Sequence, residues 1–301
     1  MAETLLKIEN LSHSFKLTKK LWIKAVNDVS FDIQQGEIFG LVGESGSGKS
    51  TLARCVMNIY KNQTGKIIFD GIDCTNKAEF NANKKMLQRE RQLIFQDNAS
   101  SLNQKMKVCD IIAEPMRIHH IKPKRGTYRD EAAFQLKYVG MDESYLDKYP
   151  SELSGGQRQR VAIARAVSME PKLLVADEPI ASLDVSIQAQ IINLFKHLRA
   201  EHGFSILFIA HDLSMVEYLC DRVGVMYHGS LVELAPTKEL YSNPLHPYTK
   251  ALMSAIPIPD PILEKKRQRI DFDDMNFTSS GKFTEVLPGH YVLKEEGKHE
   301  L

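Results

Sequence analysis

Cysteine is scarce in this sequence, and the few present are scattered. Cys55, Cys74, Cys109 and Cys220 are its four cysteines, with no C-x-x-C among them. That spacing excludes a disulfide framework or a zinc site, and reduced, mostly buried thiols are expected. Long apolar runs are also missing: none approaches the ~18 residues of a membrane span. Neither sign of charge is in excess, with 39 basic and 38 acidic residues giving +1. The balance removes any global electrostatic case for nucleic acid or an anionic membrane surface as partner. The opening MAETLLKIEN has an acidic residue where a signal peptide needs basic ones, and its apolar stretch is short. A cytoplasmic protein is expected. At 301 residues the chain can form one large domain or two modest ones.

The pattern that is present mixes α and β. Leu5–Ile8, Val29–Ile33, Glu37–Val42 and Lys66–Phe69 read as strands, punctuated by Gly36 and Gly65. Lys172–Ala176 and Ser205–Ala210 are continuously apolar, as strands of a parallel sheet covered on both faces are. Between them Ile187, Ile191, Leu194 and Leu198 form one helical stripe that Gly203 would end. Strand, helix and strand make a crossover unit, so an α/β core is expected. Residues 72–150 are polar and helix-rich, the pattern of a helical insertion. After Pro236, prolines 244, 247, 257, 259 and 261 and the charged run Glu264–Arg269 mark a C-terminal extension.

One stretch carries explicit chemistry. Gly43, Glu44, Ser45, Gly46, Ser47, Gly48, Lys49, Ser50 and Thr51 spell GESGSGKST between an apolar run and a helix-like segment. This is G-x-x-x-x-G-K-[ST], the phosphate-binding loop. Glycine permits the tight turn, and the bare N–H groups with the following helix's dipole favour an anion. Lys49 would reach the β- and γ-phosphates, and the Ser50 hydroxyl would ligate Mg²⁺.

Other segments fit a nucleotide-hydrolysing site. Asp177 and Glu178 end the apolar strand Leu174–Ala176, where open α/β sheets place ligands. Asp177 would hold Mg²⁺, and Glu178 would polarise the attacking water. His211 follows the next apolar strand and could orient that water, although a lone histidine is often structural. Gln96 closes the short strand-like run Leu93–Phe95 and could reach Mg²⁺; taken alone it reads as a surface glutamine. Ser154, Gly155, Gly156 and Gln157 form a second glycine-rich site. Ser154 and Gln157 make a capping box for a helix over Arg158–Val167. Yet two glycines in a first turn cost about 1 kcal/mol each, which suits a second phosphate-binding edge. A helix start in a distant insertion would reach a γ-phosphate most easily in trans.

GESGSGKS, LIFQD, LSGGQ, LLVADEP, the SLD of Ser182–Asp184 and IAHD follow one another as they do in the ATP-binding subunits of ABC transporters. The resemblance covers about Leu6 to Ala235. It implies a P-loop NTPase core with parallel sheet, an N-terminal antiparallel β subdomain, a helical subdomain at about 97–168 and a C-terminal extension over 236–301. It implies ATP and Mg²⁺ as cofactors, with Lys49 and Ser50 serving phosphate and metal, and Gln96 and Asp177 serving the metal. Glu178 is then the base and His211 the switch. Ser154 to Gln157 would grip the ATP of a partner subunit, with Asp184 nearby. Phe15 resembles the aromatic that stacks on adenine, although it could equally be core.

NPLHPYTKALMSAIPIPDP, beginning at Asn243, is similar to the C-terminal extension of the peptide-importer branch, which includes dipeptide, oligopeptide and nickel systems. Within that branch the chain resembles the second ATP-binding subunit of oligopeptide importers. The resemblance implies a peripheral protein on the cytoplasmic face of the membrane. Its partners would be two permease subunits, a second homologous ATP-binding subunit or a second copy of itself, and an extracytoplasmic peptide-binding protein. Many members carry a cysteine cluster for an iron–sulfur centre in this region. Here no cysteine follows Cys220, so no such cluster is expected. A nickel or cationic-peptide transporter is the alternative cargo reading. A soluble ABC ATPase acting on nucleic acid fits less well, because there is one phosphate loop and no sustained heptad pattern.

Overall fold

The computed structural model describes residues 3–18, 21–61, 63–96, 101–181, 183–257, 264, 267, 269–272, 277 and 281–295. Asp97, Ser182, Pro259, Asp260 and Pro261, each part of a motif above, lie outside them. The first elements are β1 (Thr4–Lys16), β2 (Trp22–Gln34), β3 (Ile38–Val42), α1 (Lys49–Val56), β4 (Gln63–Phe69) and β5 (Ile72–Asp73). Then come α2 (Lys77–Glu90), β6 (Arg91–Ile94), α3 (Val108–Ile118), α4 (Tyr128–Tyr138), α5 (Gly155–Val167), β7 (Leu173–Asp177) and α6 (Val185–His202). The chain continues with β8 (Ser205–Ile209), α7 (Leu213–Leu219), β9 (Arg222–Tyr227), β10 (Ser230–Pro236), α8 (Thr237–Ser242), α9 (Pro247–Ser254), β11 (Gly281–Leu287) and β12 (His290–Glu295).

The chain divides into two compact units, Met1–Thr75 with Phe208–Leu301, and Asn76–Leu207. In the first unit β1 pairs antiparallel with β2 on one side and β4 on the other, giving the sheet order β2-β1-β4-β5. Strands β1 and β2 are each 13 residues long, far longer than the expected segments. Register shifts after Ile8 and Leu11 break the in–out alternation by which a strand is recognised. The same unit holds β3, parallel to β9, and the antiparallel series β9, β10, β12 and β11. All five residues of β3 are buried, and Phe39 stacks on Phe31 at 4.7 Å between ring centroids. Leu6, Ile8, Val29, Ile33, Leu52 and Phe69 complete this core at 0–1% exposure.

In the second unit β6 runs parallel to β7, with Arg91 opposite Leu173 and Ile94 opposite Ala176. Helix α6 buries Ile191, Ile192, Leu194, Phe195 and Leu198, and Gly203 ends it in the left-handed region at φ 67°. Only glycine adopts that conformation without steric cost, and the Gly203 N–H donates to the Arg199 carbonyl at 2.8 Å. The expected stripe is present except that Ile187 turns toward Gly156, as described below. Parallel strands, the antiparallel sheet and the helix-rich segment agree with the α/β class read from the sequence. Among the described residues no helix is long and apolar enough to cross a membrane.

Candidate active site

Every apolar side of β3 is buried, so the chain leaves it at Val42 with no residue free to bend outward except glycine. Gly43 takes φ 145° and Gly48 takes φ 103°, and a Cβ on Gly48 would lie 2.0 Å from the Ala25 carbonyl oxygen. These two glycines let the loop fold tightly against its own sheet. Gly48 then becomes the N-cap of α1, and as a glycine it has no side chain with which to cap the first turn. Lys49 is 3% exposed, and its ammonium curls back over the loop. It donates to the carbonyls of Gly43 at 2.7 Å and Glu44 at 2.8 Å, and reaches Ser47 Oγ at 3.4 Å. Glu44, Ser45 and Gly46 form the exposed crest. A glycine-lined crest, a helix start and an ordered cation together form a cradle for an anion.

The second unit carries the acidic group. Strand β7 is buried throughout and ends on Asp177, 2% exposed. Glu178 follows in the left-handed region at φ 47°, a strained conformation for a non-glycine residue. It is held half-buried, and its Oε2 accepts a 2.8 Å hydrogen bond from Gln96 Nε2. Strand β6 stops at Ile94, two residues short of the expected end, so Gln96 stands beyond the sheet and its side chain can turn. The sequence placed Gln96 and Glu178 in one site from motif order, and the structure brings their side chains together.

The glycine-rich segment before α5 is a full capping box. Gln157 N–H donates to Ser154 Oγ at 3.3 Å, and Ser154 N–H donates to Gln157 Oε1 at 2.9 Å. Gln157 Nε2 is also anchored on the Tyr145 hydroxyl at 3.0 Å, a partner that sequence spacing did not indicate. Ser154 and Gly155 are exposed. A Cβ at Gly156 would meet Ile187 Cγ2 at 2.7 Å, so this glycine is also required by the packing of its own chain. Asp184 is exposed at the N-cap of α6 and makes no capping bond, and its neighbour Val185 is 74% exposed.

Two residues of the first unit complete the set. His211 is exposed immediately after β8, and Asp212 caps α7 by accepting from the Ser214 N–H at 2.9 Å. Phe15 is half-buried on β1, edge-on to His13 at 4.7 Å and to Tyr60 at 5.2 Å. It therefore belongs to an aromatic cluster and still presents surface. A cavity of about 790 Å³ in this unit is lined by Lys7, Asp32, Arg222, Phe283 and Tyr291 among others, and contains no residue of the phosphate loop.

Residues 26–181 match the family model described as ABC transporter, more than half of the chain. The chain belongs to the ABC transporter family. Its reaction is ATP hydrolysis, and nucleotide binding is part of that activity. Residues 232–279 match a second model, the oligopeptide/dipeptide transporter C-terminal region. The chain is 48% identical to an oligopeptide transport ATP-binding protein of Bacillus subtilis, over 99% of this chain and 98% of that one. It is 45% identical to a dipeptide transport ATP-binding protein of Lactococcus lactis, over 98% and 95%. Among solved structures it resembles an ATP-binding cassette dimer in a post-hydrolysis state with ADP and Pi. The TM-score is 0.68 and the identity 28%, over 77% of this chain and 99% of that one. It also resembles cbiO1 of Clostridium perfringens, at TM-score 0.69 and 29% identity over 80% and 92%.

Proposed function

We propose that this ATPase powers peptide uptake through partner permeases. The observation that carries the reading is the match of residues 232–279 to the oligopeptide/dipeptide C-terminal region, beside relatives named for peptide transport. The chain would sit on the cytoplasmic face of the membrane, without a span of its own, and act with two permease subunits and an extracytoplasmic peptide-binding protein.

In the proposed mechanism Lys49 and the N–H groups at the start of α1 hold the β- and γ-phosphates. Ser50, Gln96 and Asp177 offer the hard oxygen donors that Mg²⁺ takes. When bound, the ion would neutralise charge developing on the phosphates. Glu178 takes the proton of the attacking water, and His211 orients that water. Gln96 Nε2 holds one oxygen of that carboxylate at 2.8 Å and so orients it. Gln96 is thus placed to couple nucleotide state to the rest of its unit. Ser154, Gly155 and Gly156 act on the ATP of a partner ATP-binding subunit, so that ATP closes the dimer and loss of the γ-phosphate opens it.

Cargo is tested by labelled-peptide uptake in cells lacking the gene, restored with the wild-type chain or the Lys49→Ala variant. Uptake restored by the wild type alone is the expected result. Peptide uptake that survives deletion, with nickel uptake lost, would overturn the peptide reading. The action in trans is tested by mixing Lys49→Ala with Ser154→Arg chains. A mixed dimer holds one site with both lesions and one with neither, so partial recovery of ATPase activity is expected. No recovery in mixed dimers that demonstrably form would remove Ser154 from the partner's site.

A further inference from the structure

The C-terminal extension touches the phosphate loop, and the residues that bring it there are arranged around a buried carboxylate. Glu233 on β10 is 0% exposed. Its Oε1 accepts the Leu245 N–H at 2.8 Å and its Oε2 accepts the His246 N–H at 2.9 Å. From the other side His290 of β12, also 0% exposed, places Nε2 2.7 Å from Glu233 Oε1. A carboxylate removed from water is costly unless its oxygens are occupied, and here strand β12 and the segment before α9 occupy both of them. His246 then accepts the Tyr248 N–H on Nδ1 at 3.1 Å, and Pro247 supplies the preset φ of the first helical turn. The backbone from Leu245 to Tyr248 is therefore fixed by three hydrogen bonds before any side chain of α9 packs.

What this fixes is the aim of Tyr248. Its side chain is 2% exposed and lies against Tyr227 at 4.1 Å and Phe272 at 5.5 Å between ring centroids. The ring's far end reaches the phosphate loop, where the hydroxyl accepts the Glu44 N–H at 3.1 Å. The Glu44 carbonyl accepts from the Lys49 ammonium at 2.8 Å. One loop residue is thus held at both ends, by the extension at its N–H and by the loop's own lysine at its C=O. Burial pushes the Tyr248 phenol up to about 12, so it stays a neutral hydroxyl at physiological pH.

We propose that Tyr248 is a positioning residue of the ATPase site, through which the C-terminal extension sets the conformation of the Gly43–Glu44 turn. The proposal rests on the loop being the ATP site. Glycine has more backbone freedom to lose than any other residue, so fixing a crest that includes Gly46 around a phosphate carries an entropic cost. Holding Glu44 in place beforehand removes part of that cost from binding. Tyr248 acts only through the loop, with its hydroxyl on a backbone N–H. Its loss should therefore weaken nucleotide binding more than it slows turnover at saturation.

The test compares two hydroxyl deletions in the same extension. Tyr248→Phe removes the bond to Glu44, whereas Tyr241→Phe removes a hydroxyl that donates to the carbonyl of Leu213, the first residue of α7. Both keep their rings. Binding of a non-hydrolysable ATP analogue is measured by calorimetry with the wild type alongside, together with KM and kcat for ATP. Tyr248→Phe should bind about three- to tenfold more weakly than Tyr241→Phe, the range that loss of one hydrogen bond allows. KM should rise with little change in kcat, and melting without nucleotide should stay within about 3 °C of wild type. Equal affinities in the two variants would overturn the proposal. A wild-type chain that binds no nucleotide would instead sink the reading of the loop, and the role of Tyr248 with it.

Discussion

Gln96 donates its amide proton to the carboxylate of Glu178 across 2.8 Å, although 82 residues separate them in the chain. The amide fixes one of the two oxygens of the carboxylate proposed as the general base. Glu178→Gln should therefore keep nucleotide affinity near wild type while turnover falls at least about a hundredfold, because an amide does not accept the water's proton. A double-mutant cycle gives the sharper result. Gln96→Ala should change turnover in the wild-type background and have no further effect beside Glu178→Gln. Additive effects would mean that the two side chains act independently.

The loop glycines should separate strain from overlap. At Gly46, φ 83° disfavours a side chain but a Cβ meets nothing within 4 Å. Gly46→Ala should cost about 1–2 kcal/mol of stability, the left-handed penalty alone. At Gly48 the added carbon would sit 2.0 Å from a backbone oxygen that cannot turn aside. Gly48→Ala should cost about 3 kcal/mol or more. Urea unfolding of both variants measures the difference, and equal losses would mean that the Ala25 segment yields.

Glu37 gives the first unit a pH-dependent stability. Burial raises its pKa above the ordinary 4.5, only partly offset by Arg222 and the Gln34 N–H. A raised acid binds its proton more tightly in the folded chain than in the unfolded one. Its contribution is therefore present below pH 4.5 and is lost as pH rises through the raised folded value. The stability of wild type relative to Glu37→Gln should fall across that window and level off above it. Unfolding curves from acid to neutral pH read this difference, and an opposite slope would show that the Arg222 pairing outweighs burial.

The thiols should label in two classes. Cys55, Cys74 and Cys220 are buried, and burial pushes the Cys55 thiol up to about 12 and Cys220 well above its ordinary value. Cys109 is half-buried, with Arg129 Nη1 at 3.8 Å from its sulfur, and burial raises it less. A thiol reagent should modify Cys109 in the folded chain and the other three only on unfolding. More than one label before unfolding would reveal local opening.

The spacing of glycine, lysine and serine made the phosphate loop legible, although the atoms that Gly43 and Gly48 avoid belong to Met226 and Ala25, far off in the chain. The capping box at Ser154 and Gln157 was legible for the same reason. The role of Gly156 was not, because the atom it avoids belongs to Ile187 on another helix. The true lengths of β1 and β2 were hidden by their bulges. Strands β11 and β12 were missed because β11 is largely exposed and shows little apolar pattern. His290 looks like any solitary histidine until β12 pairs with β10 and carries it to Glu233. The left-handed backbone at Glu178 also has no signal in residue type, since that conformation is imposed by the segment around it.

The pairing of Glu233 with His290 also has a consequence for synthesis. The histidine follows the glutamate by 57 residues, which at about 5–20 residues per second takes about 3–11 s to make. Throughout that interval β10 lacks the neighbour that will cover its outer edge, and an open strand edge is a template for pairing with other chains. The support around the phosphate loop is therefore completed only once His290 has been made. A ribosome stalled between these two residues would hold a chain in which β10 still waits for β12.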